Sequence, residues 1–224
     1  MNTLIKGGRI VTDNKITDGD VLIEDEDIIE IVPRSASDNH SHIQNIIDAT
    51  GCYVLPGIID SHVHFREPGL TEKADIESES RAAAAGGVTS YMEMPNTAPQ
   101  TTTLEAFLDK QQRAARSSHV NYSFFFGATN TNAPLFSQLD RHLTPGIKLF
   151  MGSSTGNMLV DGDEALHQVF SSAVAARLPV MAHCEDTAII NRNMAMAKAG
   201  YGDDPDVSLH PFIRSEEACL ASTR

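Results

Sequence analysis

The chain has 224 residues, three cysteines and no tryptophan, and 17 Lys and Arg against 30 Asp and Glu leave a formal charge of −13. A balance that acidic repels phosphate backbones and anionic lipid, so neither a nucleic acid nor a membrane is expected as a partner. Apolar residues at 41% with charged residues at 21% suffice for a core and exclude a disordered chain.

No apolar run approaches the roughly 20 residues of a membrane helix. The first twenty residues carry Lys6, Arg9, Asp13, Lys15, Asp18 and Asp20, which does not suit a secretory signal. Three widely spaced cysteines make no disulfide framework. A cytoplasmic protein is expected.

Residues 1–53 predict a small β-sandwich. β-Branched pieces at 3–6, 9–12, 20–24 and 28–32 are separated by Gly7-Gly8, Asp18-Gly19 and Glu26-Asp27, and Pro33 ends the last. Residues 34–45, including His40-Ser41-His42, are polar and predict an exposed loop. From Val54 the texture becomes strand, loop, helix, repeated. Apolar runs at 54–59, 88–94, 122–126, 147–151 and 180–182 predict buried parallel strands. Helices are expected near 72–86, 103–118, 134–142, 163–177 and 186–199. Thr102 with Glu105 fits a capping box for the second. Ala165, Val169, Ser172 and Ala176 keep helical spacing in the fourth, and Pro179 follows it. A sixth helix starts near Ser215. This is an α/β chain of five βα units, with a parallel sheet and helices outside.

Three strand ends carry chemistry. Asp60-Ser61-His62-Val63-His64 places two imidazoles on one face, able to chelate one metal ion or to line a polar pocket. The same spacing in His40-Ser41-His42 lies in a polar loop and reads as inert. What distinguishes His62 and His64 is placement at a strand end, where barrel active sites sit. Lys148, in Gly146-Ile147-Lys148-Leu149-Phe150-Met151, lies inside an apolar strand, where lysine is rare unless paired. It is either a snorkelling side chain or an amine depressed by burial and able to be modified. His183 ends the run before Cys184-Glu185-Asp186. It is a ligand or a satisfied core histidine; Cys184 reads as packing, and Glu185 and Asp186 as supports or helix caps. Arg66 and Asn96 face the same rim and suit a small carboxylate, although a salt bridge to Glu67 or Glu72, and a turn after Pro95, would also explain them. Histidines suit zinc, and a carboxylate bridge would let two metals share one site.

The segments from Asp60 to Gly69, Ala82 to Thr89, Met94 to Thr97 and Gly146 to Met151 closely resemble the amidohydrolase superfamily, and more narrowly its dihydroorotases of the longer bacterial and multifunctional-protein type. The resemblance implies a (β/α)8 TIM barrel spanning residues 54–224, incomplete at the C-terminus, and a sandwich over 1–53 completed from the other chain end. It implies two Zn²⁺ ions per site. His62 and His64 would bind one and His183 the other, with carboxylated Lys148 bridging both. Arg66 and Asn96 would hold the carboxylate of dihydroorotate, which the enzyme interconverts with N-carbamoyl-L-aspartate in pyrimidine biosynthesis.

Allantoinases and dihydropyrimidinases are the nearest alternatives; the latter act on rings without a carboxylate, so Arg66 with Asn96 favours dihydroorotase. A non-catalytic scaffold or fragment of the same fold is a further alternative, against which retention of the ligand set counts. The family's remaining zinc-binding His and its proton-shuttling Asp, from strands six and eight, are expected beyond Arg224. The 224 residues alone are therefore expected to be inactive, and a homodimer is the expected assembly.

Overall fold

The computed structural model describes residues 2–33, 43–152, 158–160 and 162–224. They divide into two compact units, Met1–Gly57 and Ile58–Arg224. His40 and His42, with most of the expected 34–45 loop, lie outside the described residues. No described helix is long and apolar enough to cross a membrane.

The first unit is a five-stranded sheet of β1 (Asn2–Thr12), β2 (Lys15–Glu24), β3 (Asp27–Pro33), β4 (Asn45–Asp48) and β5 (Tyr53–Val54). β1 pairs antiparallel with β2 and parallel with β4 and β5, while β3 pairs antiparallel with β2. Gly7-Gly8 is not a break between strands. The register slips there, between Ile5 and Gly8, and one long strand carries a bulge. The Gly7 N–H donates to Asp20 Oδ1 at 2.7 Å, which ties the bulge to the neighbouring strand. Leu4, Ile10, Val21, Val32 and Ala49 are buried in this unit.

In the second unit β6 (Ile58–Val63), β7 (Val88–Glu93) and β8 (Asn121–Phe124) form one parallel sheet, and β9 (Phe126–Gly127), β10 (Ile147–Met151) and β11 (Val180–Cys184) another. Only Phe125 separates β8 from β9. Its N–H donates to Glu93 O on one side, and the next N–H, of Phe126, donates to Gly146 O on the other. The five parallel runs therefore follow one another in chain order.

The expected strand at 54–59 is displaced. Pro56 has no N–H for a ladder, so the run splits. Val54 joins β1 of the first unit, and the strand of the second unit begins at Ile58. His62 consequently lies within β6 and His64 one residue past it.

The helices are α1 (Ile76–Ala85), α2 (Leu104–Ser117), α3 (Asp163–Ala176), α4 (Thr187–Tyr201), α5 (His210–Ile213) and α6 (Glu216–Thr223). Asp75 and Ser78 form a capping box on α1, so that helix starts later than residue 72. Thr103, not Thr102, caps α2 by accepting from the Ala106 N–H. Glu105 is then one position too early for a capping box. The expected helix at 134–142 is a 3-10 turn, Ala133–Gln138. Its flanking Asn132 cannot cap, because that side chain accepts from Thr129 N–H and donates to Thr102 O and Gly127 O. Asp186 caps α4 and Ser215 caps α6.

The helices cover one face of the parallel strands. Tyr91, Phe124, Phe126, Ile147 and Leu149 meet Ile76, Phe107, Phe136, Val169 and Ala173 in one core. Each such side chain contributes about 1.5–3 kcal/mol on full burial, which fixes the strand faces. The opposite face carries Lys148 and His183 beside Phe150 and Met181.

Candidate active site

Alternation along β10 turns Ile147 and Leu149 into the core and Lys148 and Phe150 to the other face. Lys148 is nevertheless only 3% exposed. Its Nζ lies 4.8 Å from the Phe150 ring centroid, and burial holds its amine below the ordinary lysine range. In β11, Met181 pairs with Lys148 and His183 with Phe150, so His183 follows Lys148 along the same face. The Phe150 and His183 rings are 6.3 Å apart.

The His62 and His64 rings lie 5.3 Å apart at an interplanar angle of 49°. Both residues keep solvent contact. Partial desolvation and then the Lys148 charge hold His62 below its ordinary pKa, against Asp60. His64 is lowered by desolvation first, then by Arg66, His62 and Lys148, while the neighbouring Asn96 amide opposes them. Five residues flagged by the sequence therefore share one electrostatic neighbourhood: His62, His64, Arg66, Asn96 and Lys148. The two imidazoles are biased towards the neutral form that binds a metal.

His183 is held differently. Its Nε2 lies 2.6 Å from Glu185 Oε2 and 3.4 Å from Arg214 Nη2. Arg214 grips the same carboxylate with two donors, Nε at 2.7 Å and Nη2 to the other oxygen. The guanidinium pulls the Glu185 carboxyl down to about 2, with the His183 bond acting in the same direction. A carboxylate on one ring nitrogen of a histidine is the arrangement that orients metal-binding imidazoles. A cleft of about 510 Å³ beside it is lined by His183, Cys184, Glu185 and Arg214 among others. Among the described residues, no group of three or more His, Cys, Asp and Glu is close enough to hold a metal by itself. The His pair and His183 stand on separate strands, and the residue between them is a lysine.

The loop after His64 is fixed from below. The Phe65 N–H donates to Glu93 Oε1 at 3.0 Å, and Glu93 Oε2 pairs with Lys110 Nζ at 2.9 Å with both side chains fully buried. Lys110 Nζ also donates to Met94 O at 3.0 Å. Burial pushes the Glu93 carboxyl up and the Lys110 ammonium down, and their attraction opposes both shifts. Arg66 itself has φ 69°. Glu67 bonds the Ile76 N–H and Arg113, which accounts for its carboxylate without a bridge to Arg66. Sequence reasoning missed Glu93 and Lys110. A signal was present: Glu93 ends an apolar run, and Lys110 sits three after Phe107 and four before Ala114, on the buried face of α2.

The Amidohydrolase family pattern matches residues 53–204. An L-hydantoinase of Paenarthrobacter aurescens is 32% identical over 205 residues, which are 91% of this chain and 44% of that protein. A dihydroorotase of Staphylococcus epidermidis is 32% identical over 215 residues, 96% of this chain and 46% of its own. Among solved structures, L-hydantoinase (dihydropyrimidinase) from Arthrobacter aurescens superposes with a TM-score of 0.88 at 28% identity, over 98% of this chain and 48% of that one. The dihydropyrimidinase from Brevibacillus agri gives 0.81 at 27%, over 100% and 48%. The chain spans less than half the length of these relatives.

Proposed function

The chain belongs to the amidohydrolase family, and from that premise we propose that it forms part of a zinc-dependent dihydroorotase, interconverting dihydroorotate and N-carbamoyl-L-aspartate. Family membership and the dihydroorotases among its relatives support hydrolysis of a cyclic amide as the activity of the whole protein. The finer reading is supported chiefly by one observation: the Arg66 charge and the Asn96 amide, whose buried Oδ1 has no hydrogen-bond partner among the described residues, both lie close enough to His64 to shift its pKa. A ring carboxylate suits that combination, since a guanidinium binds it with two parallel hydrogen bonds. The first unit would supply one layer of a sandwich, as its exposed Ile28, Ile29, Ile46 and Ile47 suggest. The five parallel runs of the second unit, β8 and β9 counting as one, would be the first five of an eight-stranded barrel.

The donor set fits the metals that this reading implies. His62 and His64 are biased to the neutral, ligating form, and Glu185 orients His183. The buried Lys148 amine is depressed, and a neutral amine is the form that adds to carbon dioxide. A carbon–nitrogen bond forms, one proton leaves the neutral amine, and the uncharged nitrogen becomes part of an anionic oxygen ligand. His62 and His64 would hold one zinc ion, His183 the other, and the Lys148 carbamate both. Bound there, zinc would supply acidification of a water and polarisation of a ring carbonyl. Arg66 and Asn96 hold the carboxylate and thereby orient the ring, and hydrolysis breaks its amide C–N bond.

A second reading, hydrolysis of hydantoin-type rings, is favoured by the L-hydantoinase relative and by the TM-score of 0.88. The test is metal content together with turnover of dihydroorotate and of a 5-substituted hydantoin by the full-length protein. Dihydroorotate turnover with bound zinc is expected, and Arg66→Met should raise its KM about tenfold or more with zinc unchanged, the loss of one charged hydrogen-bonding partner. Hydantoin turnover alone would replace the first reading by the second.

A further inference from the structure

We propose that the buried Glu93–Lys110 ion pair is a positioning device that sets the spacing between Arg66 and Asn96, and thereby the affinity for a ring carboxylate. The proposal rests on the reading of Arg66 and Asn96 as carboxylate anchors.

The two anchors come from different strand ends, after β6 and after β7. One side-chain pair reaches both. Glu93 Oε1 accepts the N–H of Phe65, the residue before Arg66. Lys110 Nζ donates to the carbonyl of Met94, two residues before Asn96. The pair itself closes the link at 2.9 Å. Above it, the Ala98 N–H donates to Pro68 O at 3.0 Å, bracing the same two loops a second time.

Stability alone does not explain this choice of residues. Removing a carboxylate and an ammonium from water costs several kcal/mol each, and apolar residues of similar volume often replace such pairs without loss. What apolar residues cannot supply are an acceptor for Phe65 N–H and a donor for Met94 O. Arg66 also needs holding, because a left-handed backbone costs a non-glycine residue about 1 kcal/mol or more. The charge is therefore spent on two backbone contacts that flank the anchors.

The test is the double replacement Glu93→Gln with Lys110→Met in the full-length protein. Gln keeps an acceptor for Phe65, Met fills the lysine volume, and no unpaired charge is left buried. Expected are retained folding and zinc content, a KM for dihydroorotate raised about tenfold, and kcat within about twofold. In the Arg66→Met background the same replacement should add much less, because its effect runs through Arg66. A folded, zinc-loaded double variant with unchanged KM would overturn the proposal, as would full additivity with Arg66→Met. Should that double variant be unstable, Glu93→Gln with Lys110→Leu, which also leaves no unpaired charge buried, is judged by the same KM-to-kcat split and decides. If Arg66→Met itself leaves KM unchanged, the anchor reading fails first and the proposal falls with it.

Discussion

Gly69 is a position where one methyl group separates two physical costs. Its φ is 82°, and a Cβ there would lie 1.9 Å from the Ala98 carbonyl oxygen. Gly87 has nearly the same backbone, φ 85°, with nothing within 4 Å of a built Cβ. Gly87→Ala should therefore cost only the left-handed strain, about 1 kcal/mol. Gly69→Ala carries the same strain and must also drive the Ala98 backbone back by about an ångström. The Ala98–Pro68 hydrogen bond is broken in doing so, adding about 1 kcal/mol net, and the displaced backbone adds more. The total is about 3 kcal/mol, or a fall in Tm of roughly 6–12 °C at two to four degrees per kcal/mol. Urea unfolding of both variants alongside wild type measures the difference. The KM for dihydroorotate should also rise in Gly69→Ala, since the shifted loops carry Arg66 and Asn96. Equal destabilisation by the two substitutions would refute the reasoning.

Lys148→Met exchanges a buried amine for an apolar chain of similar length. Folding stability of the metal-free protein should be unchanged or slightly raised, because the desolvation cost of the amine disappears, whereas zinc measured by atomic emission should fall well below two per chain. Two zinc ions retained in that variant would remove Lys148 from the ligand set. Arg214→Met probes the Glu185 carboxylate. That group titrates near 4.5 when unfolded and at about 2 when folded. The contribution is fully present above pH 4.5 and is lost as pH falls through about 2. Arg214→Met should thus remove the larger share of that contribution, at most about 3 kcal/mol at pH 7, and progressively less between pH 4.5 and pH 2. A stability gap that does not narrow across that window, followed by urea unfolding, would show that the pair acts through packing rather than charge.

Local chemistry was readable from the residues alone. Alternating βα texture, the strand at 147–151, the helices after residues 103 and 186, and the start of α6 at Ser215 all follow from apolar period and capping residues that act within a few positions. His62, His64, Lys148 and His183 were visible for the same reason, as polar groups inside or at the ends of apolar runs. The split of residues 54–63 between two units was not. Pro56 broke the run, yet which half joined which sheet depended on β1, some 45 residues away, offering Val54 a partner. The capping residue of α2 was likewise decided by three adjacent threonines competing under tertiary constraints. Glu93 and Lys110 show the largest gap. In sequence they are an acid and a base 17 positions apart, each ordinary for its element. Only packing of α2 onto the parallel sheet removes both from water and forces them on each other and on the backbone of two loops. Short-range patterns set which residues could do chemistry; long-range burial determined which of them are held together, because desolvation has no meaning until the chain has closed around the charge.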